Sequence, residues 1–349
     1  MKTTRYSRIF FLIALTVLLA GTAQGAVKKP ATPTELALYK GADRQQLLEE
    51  GAKKEGKLTI YTTQTEKKIM DAFRKKYPFL KVEIWRAETA PVVSRILEEY
   101  RAGVHTVDVM AFTGTGGVIM EEAGILQPFY SPQLAFIEEY ALNTAPGGAA
   151  LTAGHFQSGI GLGYNTKLLT RAQVPKTYQE LLDPKWRGKM AMVGSNTGVT
   201  WVGGALNLSG EDYVAKLARQ EPVVHMVSAR ALLDMIVNGE YPCSPTIMDS
   251  HIARSKQAGA PVDWVPLEPV PSYLGQIMLP KHPANPHAAL LFIDFDLSRE
   301  AGELFKATGY NSPRKDVSGE KSYKKFFGSE STEQVKKWMT VFNKYFLKK

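Results

Sequence analysis

Between Leu58 and Gly117 one pattern occurs three times: a short apolar run, a polar loop, then a helical stretch. Leu58-Thr59-Ile60-Tyr61 empties into Thr62-Thr63-Gln64-Thr65-Glu66, and helical spacing follows from Ile69 to Tyr77, closed by Pro78. Val82-Glu83-Ile84-Trp85 leads through Arg86-Ala87-Glu88-Thr89 to a helix over Pro91 to Arg101, with Val92, Ile96 and Leu97 on one face. Val107 to Phe112 runs into Thr113-Gly114-Thr115-Gly116-Gly117 and another helix. Strands separated by helical crossovers pair in parallel, so the repeat predicts a doubly wound α/β lobe. Such sheets bind ligands beyond the carboxyl ends of their strands, which makes the three polar loops candidate binding segments. The glycines from Gly114 to Gly117 lack the Gly-Lys-Ser/Thr of a phosphate loop and the full dinucleotide fingerprint, so they do not argue for a nucleotide. One helix over Thr34 to Lys54, anchored by Leu36, Leu38, Leu47 and Leu48 and stopped by Gly56, is expected ahead of the first strand.

At 349 residues the chain exceeds the size at which a single core usually stops growing, so two lobes are expected. Lys2, Arg5 and Arg8 precede the apolar run Ile9 to Ala20, and Ala23-Gln24-Gly25-Ala26 supplies small residues for cleavage; residues 1–25 read as a secretory signal peptide. No later run reaches the roughly 20 apolar residues a membrane span needs. Thr22 stands where a lipoprotein signal needs a cysteine, so the mature protein is expected to diffuse freely in the periplasm. Cys243 is the one cysteine, which rules out an intramolecular disulfide and leaves stability to packing. It lies in an apolar strand, where a thiol is ordinarily inert core. The formal charge is +9, but the lysines gather towards the carboxyl terminus without interleaved aromatic platforms, which speaks against nucleic-acid binding.

The second half has its own rhythm. Gly159-Ile160-Gly161-Leu162-Gly163-Tyr164 alternates small and apolar residues, as a strand does where another backbone passes close by. Asp183-Pro184 through Gly188 is a tight connection, and Lys189 to Val193 is a short buried parallel strand opening into Gly194-Ser195-Asn196-Thr197-Gly198. A helix with Tyr213, Val214 and Leu217 follows. Next come a strand over Pro222 to Val227, a helix over Ala229 to Asn238 capped by Ser228 and stopped by Gly239, and the strand Cys243 to Met248. The polar turn Asp249-Ser250-His251 leads into a further helix ending at Gly259. Asn143 to Ala150 reads as a loose segment.

This order of segments, from about Lys57 to Asn311, resembles the periplasmic solute-binding proteins of ABC importers, in the branch that includes the ferric-iron binders. The resemblance implies a type II periplasmic binding protein fold: two α/β lobes, each with a doubly wound mixed sheet of its own, and a ligand cleft between them. Lobe one is expected over residues 34–128 and 268–312, and lobe two over 129–267 and 313–349, with crossover strands, a hinge, and the C-terminal helix packing back. It further implies a small-molecule ligand and the permease subunits of an ABC transporter as partners, a monomeric state, no nucleic acid and no membrane-embedded segment.

Carried to this sequence, the cleft falls to the loops after the strands. From the first lobe these are Thr62, Thr63, Gln64 and Thr65, then Arg86 and Glu88, then Thr113 and Gly114. From the second they are Ser195, Asn196, Thr197 and Gly198, then Ser228, then Asp249, Ser250 and His251, with Tyr273 on the return strand. Ser, Thr and Asp also serve simply as helix caps, and both uses exploit the same free N–H groups. The iron binders place two adjacent tyrosines where this chain has Asp249-Ser250, and Thr65 stands where several of them have a histidine. Two ligand readings therefore stand. Hydroxyls, amides and Arg86 suit a small anion such as a carboxylate, phosphonate or phosphate ester, with no cofactor and no metal. Alternatively Glu88, Asp249 and His251 assemble a site for ferric iron or a ferric chelate. A sensing module that signals through a membrane receptor is a further reading. Catalysis is not expected, since no Gly-x-Ser-x-Gly elbow, His-Glu-x-x-His pair or Cys/His constellation appears.

Overall fold

The computed structural model describes residues 28–64, 67–113, 116–317, 325–326 and 332–347. The segment read as a signal peptide, together with Thr65 and Gly114, lies outside them, as does the side chain of Thr113.

Where one leading helix was expected there are two, α1 (Pro33–Ala37) and α2 (Arg44–Glu55). Thr32 and Glu35 form a reciprocal capping box at the start of α1. The break falls at Gly41, where the Tyr39 ring occupies the space a Cβ would need and the Tyr39 hydroxyl donates to Asp43 at 2.6 Å. The three repeated units then appear as read: β1 (Lys57–Thr62), α3 (Lys67–Lys76), β2 (Lys81–Arg86), α4 (Thr89–Arg101), β3 (Val109–Thr113) and α5 (Gly116–Glu122). β1 lies between β2 and β3 and is parallel to both. Leu58 and Ile60 of β1 are buried in one core with Phe73 of α3.

After β4 (Leu126–Gln127) the supposedly loose stretch is ordered as β5 (Leu142–Ala145) leading into β6 (Ala149–Asn165). β6 is 17 residues long, about 55 Å at strand spacing. Its first half pairs with β5 and β11 (Val270–Pro280), and its second half with β9 (Cys243–Met248) and β10 (Val262–Val265). The glycine alternation has a packing reason: a Cβ on Gly161 would lie 2.6 Å from the Trp264 ring and 2.8 Å from the Val265 carbonyl. The second half also holds the parallel pair β7 (Ala191–Val193) and β8 (Val223–His225). Around these strands stand α6 (Asn196–Ala218), α7 (Ala229–Asn238) and α8 (Asp249–Gln257). α9 (Pro286–Asp296) and α10 (Arg299–Ala307) return to the first core, and α11 (Thr332–Phe342) sets Trp338 and Phe342 in the second.

Two expectations change. Strand pairing is unbroken from β10 through β6, β11, β3 and β1 to β2, because β6 and β11 run through both halves; the lobes are separate as cores and share their ladder. The boundaries also move. Phe129, Leu134, Ile137, Ala141, Ala150 and Phe156 pack into the first core, since β5 and the start of β6 lie on its sheet, whereas Tyr273, beyond the expected end of lobe two at Leu267, belongs to the second. Cys243 is fully buried, and desolvation raises its thiol to about 12. No helix among the described residues is long and apolar enough to cross a membrane.

Candidate functional site

Four helices begin at one cleft. From the first lobe come Thr63 and Gln64 after β1, Arg86 at the end of β2, and Glu88 as N-cap of α4. From the second come Ser195, Asn196 and Thr197 at the start of α6, Ser228, Ala229 and Arg230 at the start of α7, and His251 and Arg254 on α8. Met248, Tyr273 and Tyr310 complete a wall around a space of about 490 Å³.

Each edge of the cleft has a local cause. The Thr62 hydroxyl accepts from the Gln64 N–H at 3.0 Å and donates to the Gln64 carbonyl at 2.6 Å, turning the chain at the end of β1. Arg86 Nε donates to the Thr63 carbonyl at 3.2 Å and fixes this turn. β7 passes into α6 so sharply that a Cβ on Gly198 would lie 1.8 Å from the Val193 carbonyl oxygen, a contact only glycine permits. Ser195 caps α6 with extended backbone and no side-chain cap bond, whereas Ser228 accepts from Ala231 N–H at 3.2 Å. Arg254 Nε donates to the Thr308 carbonyl at 2.9 Å, and its guanidinium lies 4.7 Å over the Tyr310 ring. Tyr310 in turn donates to Gln64 Oε1 at 2.6 Å, so an arginine of the second lobe is tied to the first-lobe turn through one ring.

The electrostatics favour anions. Arg86, Arg230 and Arg254 line the cleft against one carboxylate, Glu88, among the described lining residues. The helix starts add partial positive charge and N–H donors. His251, half-buried, lines the cleft beside these arginines. Desolvation first, then Arg254 and Arg230, lower its pKa to about 3 against a smaller opposing pull from Asp249, so the ring is neutral near pH 7. Its Nδ1 is buried with no hydrogen-bond partner among the described residues.

Ten of the candidate residues read from the sequence line this cleft: Thr63, Gln64, Arg86, Glu88, Ser195, Asn196, Thr197, Ser228, His251 and Tyr273. Four stand behind it. Thr62 shapes the turn, and Gly198 is a packing glycine. Asp249 and Ser250 form the buried first turn of α8 and not a turn preceding it. The Asp249 carboxylate accepts from Ser158 Oγ at 2.6 Å and Gly159 N–H at 3.1 Å, and Ser250 Oγ lies 2.7 Å from the same Ser158 hydroxyl. Glu88, Asp249 and His251 therefore do not converge, and no group of three His, Cys, Asp or Glu side chains able to hold a metal occurs among the described residues. The backbone of Thr113 pairs with Gly275 in the ladder. Sequence reading missed Ala229, Arg230, Arg254, Met248 and Tyr310. Arg254 was within reach of it: three residues beyond His251, it shares that helix face. Tyr310, in the segment after α10, carried no local signal.

Residues 68–327 match the family described as bacterial extracellular solute-binding protein. The chain belongs to that family. This solute-binding protein shares its two-lobed fold with iron-bound HitA from Pseudomonas aeruginosa, at 20% identity and a TM-score of 0.70 over 83% of this chain and 99% of that one. The ferric binding protein from Campylobacter jejuni is similar at 16% identity and a TM-score of 0.71, covering 83% and 99%. AfuA from Actinobacillus pleuropneumoniae, with fructose-6-phosphate bound, is similar at 22% identity and a TM-score of 0.66, covering 83% and 98%. A curated relative, an uncharacterized protein of Haemophilus influenzae, is 28% identical over 201 residues, 52% of this chain and 56% of the relative. At these identities the solved structures establish the fold alone.

Proposed function

We propose that this solute-binding protein is the periplasmic capture component of an ABC importer and takes a small anionic solute, a carboxylate, phosphonate or phosphate ester, into the interlobe cleft. The observation that carries the reading is the meeting of Arg86, Arg230 and Arg254 with the starts of α6, α7 and α8 around one space of about 490 Å³. Guanidinium forks and helix N-termini are the two groups proteins most often use for oxyanions, and here both act together. A ligand engaging donors of both lobes is best satisfied when they close on it, which gives the permease a distinct closed shape to recognise. Export through a cleaved signal peptide agrees with the amino-terminal sequence pattern. Among the structural relatives, AfuA with its sugar phosphate shows that this fold admits such a ligand.

The ferric reading draws on the iron-bound relatives. Against it stand the dispersal of Glu88, Asp249 and His251 and the excess of cations in the cleft. The deciding experiment is a thermal-shift screen of carboxylates, phosphonates, phosphate esters and ferric chelates, followed by small-angle scattering on any hit. Stabilisation by an anion with a fall in radius of gyration supports capture by closure. Stabilisation by ferric chelates alone overturns the anionic reading.

A further inference from the structure

Resting on the reading of the cleft as an anion-capturing site, we propose that its ligand is an organic phosphorus oxyanion, a dianionic phosphate monoester or phosphonate. Its head lies against the starts of α7 and α8, and its carbon body lies against Tyr273 and Tyr310.

The charge balance points to more than one negative charge. Arg86, Arg230 and Arg254 bring three full positive charges. Each of the three second-lobe helix starts adds about half a charge. Arg230 is paired at 2.7 Å with Asp234 beyond the lining, Asp249 is turned towards Ser158, and Glu88 faces the cleft. What is left is an excess of between one and two positive charges, by about half a charge per helix start. A carboxylate or a sulfate ester leaves part of this excess unmatched, whereas a phosphate monoester or phosphonate carries up to two negative charges at neutral pH.

The shape of the site argues for a carbon body. A space of about 490 Å³ lies within the roughly 300–1,000 Å³ of ordinary small-molecule pockets, far more than one inorganic oxyanion fills. Met248 and the rings of Tyr273 and Tyr310 line it with apolar surface, which an inorganic ion cannot use. Gln64, Asn196 and Glu88 stand ready for hydroxyls or amines on that body. Arg254 has a particular place, because it reaches the cleft from the α8 side while its guanidinium lies 4.7 Å over Tyr310 of the first lobe. A head bound by Arg254 therefore touches the contact that joins the lobes.

The ligand's own ionisation supplies a signature. The second ionisation of a phosphate monoester falls near pH 6, so between pH 7.5 and pH 5 most of the dianion becomes monoanion. The groups facing the cleft are Arg86, Arg230, Arg254, Glu88 and His251, with Asp249 behind, and His251 is already neutral above pH 4.

The test is calorimetric titration of the full mature chain with a matched set of probes. Two-, three- and six-carbon bodies each carry a phosphate monoester, a phosphonate, a sulfate ester or a carboxylate, and inorganic phosphate is included. The expected result is that a phosphate ester or phosphonate binds at least tenfold tighter than its sulfate and carboxylate counterparts and than inorganic phosphate. The affinity of the phosphate ester should fall about tenfold from pH 7.5 to pH 5, and that of the phosphonate, a weaker second acid, by more. Arg254→Ala should weaken binding by roughly ten- to a hundred-fold and Arg254→Lys by less, and Arg254→Ala should also lower the unliganded melting temperature, because the bond to the Thr308 carbonyl and the contact with the Tyr310 ring go with it. Equal or tighter binding of the sulfate or carboxylate member, or an affinity unchanged between the two pH values, overturns the proposal while leaving anion capture intact. Binding of no anion from any class removes the broader reading as well.

Discussion

The Ser158 hydroxyl on β6 donates to the Asp249 carboxylate at the start of α8 over 2.6 Å, and both side chains are buried. This bond fastens the crossover strand to the helix that carries His251 and Arg254 to the cleft. Asp249 also accepts from the Gly159 N–H and, at 3.5 Å, from the Asn311 side-chain amide. A residue that the sequence offers as a ligand contact thus stands one layer behind the cleft, fixing the helix whose His251 and Arg254 line it.

Asp249→Ala leaves the buried Gly159 N–H without its acceptor and the Ser158 hydroxyl with Ser250 Oγ alone. The expected cost is about 1–3 kcal/mol of stability, read by urea unfolding, with Asp249→Asn costing less. Loss of ligand binding at unchanged stability would instead place Asp249 in the cleft.

Gly198→Ala sets a Cβ within 1.8 Å of the Val193 carbonyl oxygen, a backbone atom with little room to retreat. The start of α6 must shift, at an expected cost of about 1–3 kcal/mol or more. Because Ser195, Asn196 and Thr197 precede it, ligand affinity should fall alongside thermal stability, whereas Thr197→Ala should lower affinity alone.

His251 makes stability depend on acid. Its folded pKa is depressed to about 3, against an unfolded value near 6.5. Between these values the unfolded chain binds a proton that the folded chain refuses, so stability is present above about pH 6.5 and drains as pH falls towards 3. The slope approaches at most about 1.4 kcal/mol per pH unit. Denaturant titrations at pH 7, 5.5 and 4.5 should show this slope, and it should flatten in His251→Gln.

Purified protein loaded with ferric salt should stay colourless. Tyr273 and Tyr310 both line the cleft, but they come from separate elements and Tyr310 already donates to Gln64 Oε1 at 2.6 Å. A salmon or red complex at one-to-one stoichiometry, abolished by Tyr310→Phe, would restore the iron reading.

Arg86→Ala should remove both a cleft cation and the bond that holds the Thr63 carbonyl at 3.2 Å. Affinity for a charged ligand should drop roughly tenfold or more, from loss of a bond of about 1.5–3 kcal/mol. Arg86→Lys should restore part of it by titration calorimetry, since the charge returns without the planar fork.

The sequence by itself determined the local vocabulary. The three strand–loop–helix units, the caps at Ser228 and Gly239, the buried strand around Cys243, and most of the cleft loops follow from periodicity and capping, which depend on residues a few positions apart. Only the tertiary structure decided what depends on distant partners. It threaded β6 and β11 through both lobes and placed Phe129 to Phe156 in the first core, because a strand's length and allegiance are set by the strands beside it. It turned Asp249 and Ser250 inwards, where the Ser158 hydroxyl, 91 residues away from Asp249, offered a buried partner. It brought Tyr310 and Arg254 together at the cleft, since a segment following a helix reveals no facing partner until the chain has closed around it.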